Sequence, residues 1–137
     1  MGRLNYFLGV KVDYNSAGLF LSQKQYALNI IQRAGMKECK PVSTPSDVNS
    51  KLAADEGDKI DNLKQYRSLA GTFQYLTFTR PDIAYAVQQV CLFMHDPRHT
   101  HLNALKRIIR YVQGTTSYGQ QMYKSASSTI TAYSGAD

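Results

Sequence analysis

The first twenty or so positions alternate between apolar and polar residues, which is the pattern of a half-buried β-strand. Leu8, Val10 and Val12 are separated by glycine or by charged residues. Turn-forming residues follow at 15–18, where Gly18 is free to take a positive φ. The segment 5–21 is therefore predicted to form a β-hairpin.

After the hairpin, the apolar spacing changes to that of amphipathic helices. Ser22 is predicted to cap a first helix and Gly35 to end it in a left-handed conformation. Three more helices are predicted later in the chain, the second of them beginning at Pro81 and the third ending at Gly114. The four predicted apolar stripes are Tyr26, Ala27, Ile30, Ile31 and Ala34; Leu69, Phe73 and Leu76; Ile83, Val87, Val90, Cys91 and Met94; and Leu102, Leu105, Ile108, Ile109 and Val112.

The periodic pattern is interrupted once, between positions 40 and 64. Pro41 and Pro45 disfavour helix there, and several acidic residues add polarity, so the segment is predicted to be a linker or mobile loop. At the end of the chain, GQQMYK and STITAYS flank a serine-rich turn and predict a second hairpin. The predicted fold class is α+β, with an N-terminal β-hairpin plus helix, a polar linker, a three-helix segment and a C-terminal β-hairpin.

Composition supports a folded chain that does not enter a membrane. The 137 residues are 43% hydrophobic and 19% charged, which is typical of a globular protein and not of a disordered one. The sequence contains no apolar run near the ~20 residues needed to cross a bilayer, and its start does not resemble a secretory signal. We therefore expect an intracellular protein without a membrane partner.

Cys39 and Cys91 are expected to be reduced, structural thiols.

A moderate excess of basic residues gives the chain a net charge of +6, which permits binding to a polyanion. Lys106, Arg107 and Arg110 share one arc of the last predicted helix, opposite its apolar stripe. Such an arc is either a stripe that follows nucleic-acid phosphates or simply the solvated face of an amphipathic helix. The sequence leaves both interpretations open.

Three other groups of residues have a functional and a structural interpretation. His95, His99 and His101 could suggest a metal site, but their spacing matches no standard zinc pattern, and a loop with histidines at the ends of two helices explains them without a metal, so no metal site is expected. The helical tyrosines could stack on bases or lie at the edge of the core; these are Tyr75, Tyr85 and Tyr111. Cys91 is interpreted as a packing residue because it lies on an apolar stripe.

Six strings of the sequence together resemble the reverse transcriptase and ribonuclease H region of copia-type long-terminal-repeat retrotransposons, especially plant elements. They cover nearly the whole chain in the family's order, apart from the acidic linker. The strings are YFLGVKV, GLFLSQKQYALNII, AGMKECKPVSTP, YRSLAGTFQYLTFTRPDIAYAVQQVCLFMHDP, HLNALKRIIRYVQGT and AYSGAD.

This resemblance implies a division of the chain and a role for its first turn. The turn at Phe7, Leu8 and Gly9 is similar to a primer grip, whereas its alternative is a hairpin that packs on the following helix. The implied parts of this larger polymerase fold are a primer-grip-like hairpin and helix over 1–39, a linker over 40–64, thumb- and connection-like helices over 65–114, and the start of a ribonuclease H-like domain over 115–137.

The resemblance also implies that the chain alone is not a catalyst. The family's polymerase depends on a Tyr-x-Asp-Asp turn that lies upstream of this hairpin, and no Asp-Asp pair occurs in the sequence. In the family's ribonuclease H motif, Tyr-Ser-Asp-Ala-Asp-Trp, the first Asp is a metal ligand, and Gly135 stands there in this chain. Asp137 matches the second acid of the motif. The full-length family would use Mg²⁺, but no cofactor is expected for this chain.

The leading hypothesis is a truncated reverse transcriptase and ribonuclease H fragment that binds nucleic acid without reading its sequence. Its expected partners are an RNA–DNA or DNA template–primer duplex, bound weakly, together with the family's palm and ribonuclease H segments. By resemblance, its location would be the cytoplasm or the nucleus. Two alternatives remain open: a non-functional product of a decayed element, and a small protein-interaction module formed by the helices from Tyr66 to Gly114.

Overall fold

The computed structural model describes residues 6–7, 9–47, 52–54, 57–124 and 130–134. Within these residues, the chain forms a mixed α+β fold of strands and helices, which confirms the predicted fold class. The elements in chain order are β1 (Tyr6–Phe7), β2 (Val10–Asn15), β3 (Gly18–Ser22), α1 (Lys24–Arg33), α2 (Leu63–Leu76), a short 3₁₀ turn (Pro81–Ile83) that continues into α3 (Ala84–Cys91), α4 (His99–Gln113), β4 (Gly119–Lys124) and β5 (Ile130–Ser134).

The described strands of both predicted hairpins pair within one sheet, but the first predicted strand is divided into two antiparallel strands, β1 and β2. In the described part of the chain, the strands lie in the order β1-β2-β3-β4-β5, and each neighbouring pair is antiparallel. The central pairing joins β3 to β4, so that Phe20 lies opposite Gln121 across about a hundred intervening positions of sequence. Neither hairpin predicts this pairing by itself, because it depends on how the helices between them fold back.

Two glycines allow β3 and β4 to approach closely. Gly18 has a φ of +145°, and a Cβ added there would clash with the carbonyl oxygen of Met122. A Cβ at Gly119 would similarly clash with the carbonyl oxygen of Leu21. Glycine is therefore required at both ends of this strand pair for steric reasons.

The core lies among the four helices, and each predicted stripe contributes to it. Ile30, Phe73, Val90 and Ile108 are representative, each with at most 1% of its surface exposed. Partly buried residues at the margin include Met94, which lies beyond the end of α3 but still packs against the core. The helical periodicity therefore identified the buried faces correctly.

The predicted start of the first helix is wrong. Ser22 does not cap α1, because it is the last residue of β3 and pairs with Gly119 there. The N-cap position is Gln23, which makes no capping hydrogen bond with its side chain. Its side-chain oxygen instead accepts a hydrogen bond of 2.8 Å from the hydroxyl of Thr79. The end of the helix is as predicted, with Gly35 at a φ of +70°.

The predicted linker has little regular structure in its described parts, but it packs against the helices. Val42, Leu52 and Ile60 all contact the hydrophobic core, and the last two residues of the segment already belong to α2. Whether the segment 40–64 is a separate unit of the chain stays a prediction. The turn predicted at 125–127 lies outside the described residues.

Candidate nucleic-acid interface

The basic residues of α4 occupy the face of the helix that points away from the core. Residues three or four positions apart lie on the same side of an α-helix, so Lys106, Arg107 and Arg110 are neighbours. Burial of the opposite stripe, with Leu105 and Ile109 at 0% and 1% exposure, sets the rotation of the helix. Lys106 is exposed, whereas the two arginines are half-buried.

The arginines are half-buried because a segment of the chain lies along them. We call residues 37–47 the strap. Three donors on successive turns of α4 each bind a main-chain carbonyl of the strap, and Arg107 also binds a hydroxyl. The pairs are Gln113 Nε2 to Lys37 O at 2.8 Å, Arg110 Nε to Lys40 O at 2.9 Å, Arg107 Nε to Thr44 O at 3.2 Å, and Arg107 Nη2 to Thr44 Oγ1 at 2.8 Å. The polar face of α4 therefore holds part of the predicted linker in place.

A close contact at the end of α4 also holds the strap. A Cβ added to Gly114 would lie 2.9 Å from Pro41 Cβ, which is shorter than ordinary van der Waals contact. The φ of Gly114 is −85°, so glycine is required here for space and not for backbone conformation. The strap therefore fits tightly against the last turn of the helix.

Between the strap, α3 and α4 lies a cleft of about 850 Å³. Its described lining contains three cationic side chains, one carboxylate and one exposed aromatic ring. The complete set is Met36, Pro45, Ser46, Asp47, Leu52, Tyr85, Ala86, Gln89, Thr100, Asn103, Ala104, Lys106, Arg107 and Arg110. We call this cavity the α4 cleft. Its lining includes all three basic residues of α4 that the sequence predicts to bind nucleic acid.

The cations of the α4 cleft retain capacity for an anion. A guanidinium carries five N–H groups, and the strap uses two of those of Arg107 and one of those of Arg110. Lys106 is exposed at the cleft and contributes its charge without a bond to the strap. Tyr85, 64% exposed, adds an aromatic face on which a base can stack.

The predicted primer-grip residues lie in a different part of the fold. Phe7 pairs with Val10 across a tight turn, and Gly9 in that turn is exposed with a φ of +82°. Leu8 lies outside the described residues. No residue of β1 or β2 is among the described residues that line the α4 cleft, so the structure does not bring the two predicted binding groups into one cavity.

Of the three clustered histidines, His101 has a buried side chain whose two ring nitrogens both have partners. His101 is fully buried; its Nδ1 accepts a hydrogen bond of 2.9 Å from the Arg98 amide, and its Nε2 lies 2.9 Å from Ala53 O. Since a carbonyl only accepts, Nε2 carries the proton. The ring also stacks on Phe93, with centroids 4.1 Å apart. His101 therefore has a structural role, and in the described residues no group of three or more potential metal ligands occurs.

A buried ion pair that was not predicted from the sequence lies at the junction of α2 and α3. Arg80 is 1% exposed, and its Nε and Nη2 donate to the two carboxylate oxygens of Asp82 at 3.0 and 2.9 Å. Its guanidinium also donates to the carbonyl and hydroxyl oxygens of Thr115, and Tyr111 Oη donates to Asp82 at 2.7 Å. The Arg-Pro-Asp string, with opposite charges two positions apart, is the only signal in the sequence.

The pKa values of this cluster follow from its burial and its bonds. Burial alone would raise the pKa of Asp82, but the hydrogen bonds from Arg80 and Tyr111 and the positive charge of Arg80 outweigh it and lower that pKa. Burial, together with the neighbouring Asp82 carboxylate, raises the pKa of Tyr111 to about 12. Asp82 is therefore ionised and Tyr111 neutral at physiological pH.

The remaining candidates have mainly packing contacts. Tyr75 meets Tyr26 edge-on at 5.2 Å, and Tyr111 is mostly buried, so only Tyr85 presents an open ring in the α4 cleft. Cys91 is a free thiol whose sulfur lies 3.7 Å from Ala70 O, and burial raises its pKa. A raised pKa disfavours the reactive thiolate, which agrees with a packing role.

Over the described part of the chain, no helix combines the length and apolarity that a membrane span requires.

Comparison with known proteins reveals relatives along nearly the whole chain. It is 45% identical over 134 residues to the retrovirus-related Pol polyprotein from transposon RE1 of Arabidopsis thaliana, and 42% identical over 134 residues to that from transposon RE2. These alignments cover 98% of the chain but 9% of each polyprotein. An uncharacterized mitochondrial protein of Arabidopsis thaliana is 41% identical over all 137 residues, which make up 57% of its length.

The chain thus spans a small part of the Pol polyproteins and somewhat more than half of the mitochondrial protein. No protein-family model matches the chain. No solved structure shows a significant match to it.

Proposed function

Since its relatives along nearly the whole chain are retrovirus-related Pol polyproteins of copia-type plant transposons, we propose that the chain belongs to this family and is a nucleic-acid-holding segment of its reverse transcriptase and ribonuclease H region. Its partner is the sugar–phosphate backbone of a template–primer duplex, and its binding site is the α4 cleft. The observation that carries the proposal is the convergence of Lys106, Arg107 and Arg110 on one cavity.

The chemistry of the α4 cleft favours a polyanion over a neutral ligand. Among its described residues, three cations face a single carboxylate, that of Asp47, and the whole chain carries a net charge of +6. Binding of lysine and arginine to phosphates releases condensed counterions, which is the main source of affinity in binding that does not depend on sequence. Phosphate contacts fix the position of a duplex but carry no base information.

The role assigned to these residues is binding. The side chains of α4 hold phosphates at a fixed spacing of one helical turn, because burial of the opposite face prevents the helix from rotating. Tyr85 offers stacking to an unpaired base at the cleft, which is tolerant of sequence since every base has a π-face. Such a surface would hold a duplex while other segments of the polyprotein act on it.

Fluorescence anisotropy with a labelled RNA–DNA hybrid, repeated over a range of salt concentrations, tests the proposal. Three phosphate contacts predict that the logarithm of the association constant falls with the logarithm of salt concentration with a slope of about −3. Lys106→Gln is the most informative variant, because Lys106 is exposed and makes no bond to the strap in the described residues. It should weaken binding and reduce the slope by about one.

Lys24→Gln is the matched control, since it removes the same charge from an exposed position on α1 that is not part of the cleft lining. It should leave the salt slope nearly unchanged. A hybrid of scrambled sequence should bind equally well. The proposal fails if the two variants weaken binding equally, or if binding does not depend on salt, as expected for apolar docking on a protein.

A further inference from the structure

Thr44 of the strap lies beside the α4 cleft, where its hydroxyl contacts one of the cations that line the cleft, Arg107. Thr44 is exposed, its Oγ1 accepts a hydrogen bond of 2.8 Å from Arg107 Nη2, and its carbonyl oxygen accepts one of 3.2 Å from Arg107 Nε. Pro45 follows it, and this is the only Ser-Pro or Thr-Pro pair in the sequence. A hydroxyl followed by proline is the recognition element of proline-directed protein kinases.

We propose that Thr44 is a phosphorylation site, and that its phosphate pairs with Arg107 and closes the α4 cleft to nucleic acid. The pairing itself depends only on the contacts between the strap and α4. Its consequence for nucleic acid rests on the proposed function of the cleft.

The modification is a phosphoryl transfer from ATP, catalysed by a proline-directed kinase. Thr44 Oγ1 forms a new bond to the γ-phosphorus, and the bond from that phosphorus to the oxygen bridging it to the β-phosphate breaks. ADP leaves with that oxygen, and the hydroxyl proton of Thr44 passes to a base of the kinase. The reaction requires no oxidant or reductant.

Arginine is well suited to hold the resulting phosphate. Its planar guanidinium forms paired hydrogen bonds with phosphate oxygens, and phosphothreonine opposite arginine forms one to three new charge-assisted hydrogen bonds. Arg107 already directs two N–H groups at Thr44, so the phosphate is added where donors are in place. Lys106 and Arg110 lie on the same face of α4 and line the same cleft.

The charge of the cleft explains why the phosphate would exclude nucleic acid. Its described lining carries three cations and the single carboxylate of Asp47. A phosphothreonine brings a charge of about −2 at neutral pH, so the local charge falls close to zero. Nucleic-acid phosphates would then compete with a tethered phosphate for the same donors.

The two serines beside Thr44 show whether phosphorylation is specific for the hydroxyl that precedes proline. Ser43 and Ser46 flank the Thr44-Pro45 pair, but neither is followed by proline, and the hydrogen bonds of Arg107 to the strap go to Thr44. Thr44→Val removes the hydroxyl while nearly conserving the shape of the side chain. Phosphate incorporation by the purified full chain, mapped by mass spectrometry after treatment with a proline-directed kinase, should therefore occur at Thr44 and be absent from Thr44→Val.

Two readouts on the phosphorylated full chain test the pairing and its consequence separately. Without nucleic acid, phosphorylation should raise the midpoint of thermal unfolding by about 3 °C at low salt, because new ion pairs hold the strap on α4. Arg107→Gln, phosphorylated to the same extent, should not show this rise. With the RNA–DNA hybrid, phosphorylation should weaken binding at least about tenfold.

The outcomes separate this inference from the proposed function. If the unmodified chain does not bind the hybrid, the proposed function fails, and an Arg107-dependent rise in the midpoint would still support the phosphate pairing. If the unmodified chain binds the hybrid and the phosphorylated chain binds it equally well, the closing of the cleft is refuted. The pairing is refuted if the folded chain is not modified at Thr44, or if wild type and Arg107→Gln respond alike.

Discussion

Replacement of Asp82 by Asn tests the importance of the buried ion pair between α2 and α3. In the native protein, Asp82 accepts two hydrogen bonds from Arg80 and one from the hydroxyl of Tyr111. Asparagine keeps the size of the side chain but removes its charge. It also places an N–H₂ donor where one carboxylate oxygen accepted, so a donor of Arg80 or Tyr111 loses its acceptor.

The structure sets the expected magnitude. Arg80 is 1% exposed, so it cannot regain water when its counterion is lost. Removal of one partner from a buried ion pair costs about 3–5 kcal/mol. Because 14% of the Asp82 side chain remains exposed and Arg80 keeps its bonds to Thr115, the lower end of about 3 kcal/mol is expected. That is a large part of the 5–15 kcal/mol by which an ordinary domain is stable.

Urea unfolding monitored by circular dichroism measures this effect, and its pH dependence identifies the cause. The pKa of Asp82 is lowered in the folded state, so its stabilising contribution is present above its ordinary value of 3.8 and is lost as the pH falls through the folded-state pKa. The difference between wild type and Asp82→Asn should be constant from about pH 5 to 8 and shrink below about pH 4.

Asp13→Asn provides the control, since its pair with Lys11 spans 3.8 Å and both side chains are about half exposed. Its cost should be at most about 0.5 kcal/mol. If Asp82→Asn is as mild as this control, or if its cost does not change on acidification, the buried charge pair does not stabilise this junction.

Two other substitutions test the core and the sheet by the same unfolding measurement. Phe73→Ala should destabilise the fold by about 3–5 kcal/mol because Phe73 is fully buried. Its control, Phe78→Ala, should change stability by about 0.5 kcal/mol or less, since Phe78 is 61% exposed. Similar costs for the two variants would contradict the position of the core among the helices. Gly18→Ala should cost about 2 kcal/mol or more, because its Cβ meets Met122 O and its φ is positive. Gly71→Ala, on an open helical face, should instead stabilise the fold by about 0.5–1 kcal/mol. Equal effects of Gly18→Ala and Gly71→Ala would refute the close approach of β3 and β4.

The helices and hairpins were predictable because their signals are local. The stripe that includes Leu105 and Ile109 repeats with the period of an α-helix, and the buried face follows from that period alone. Gly35 likewise ends α1 by its own conformational freedom. The wrong cap at Ser22 shows where this reasoning fails: a residue suited to an N-cap was already used by a strand whose partner lies far along the chain.

Only part of the candidate site was predictable, because local signals place its side chains on one helix face but do not specify their distant partners. The position of Lys106, Arg107 and Arg110 on one face follows from the helical repeat, and the structure brings all three to the α4 cleft. The pattern could not show that Arg107 and Arg110 also hold main-chain carbonyls of the strap, since Thr44 lies 63 positions away in sequence. Whether the basic face binds phosphates stays a prediction.

The sequence by itself therefore determined the fold class, the four buried helical faces and the two hairpins, because each depends on backbone periods and turn residues a few positions apart. Tertiary structure alone decided the pairing of β3 with β4, the Arg80–Asp82 ion pair with its bonds to Thr115, and the strap that shapes the α4 cleft. Most of these contacts join distant residues, and even the local ion pair is set by burial that only packing provides. No short pattern in a sequence specifies which distant donor will meet which acceptor.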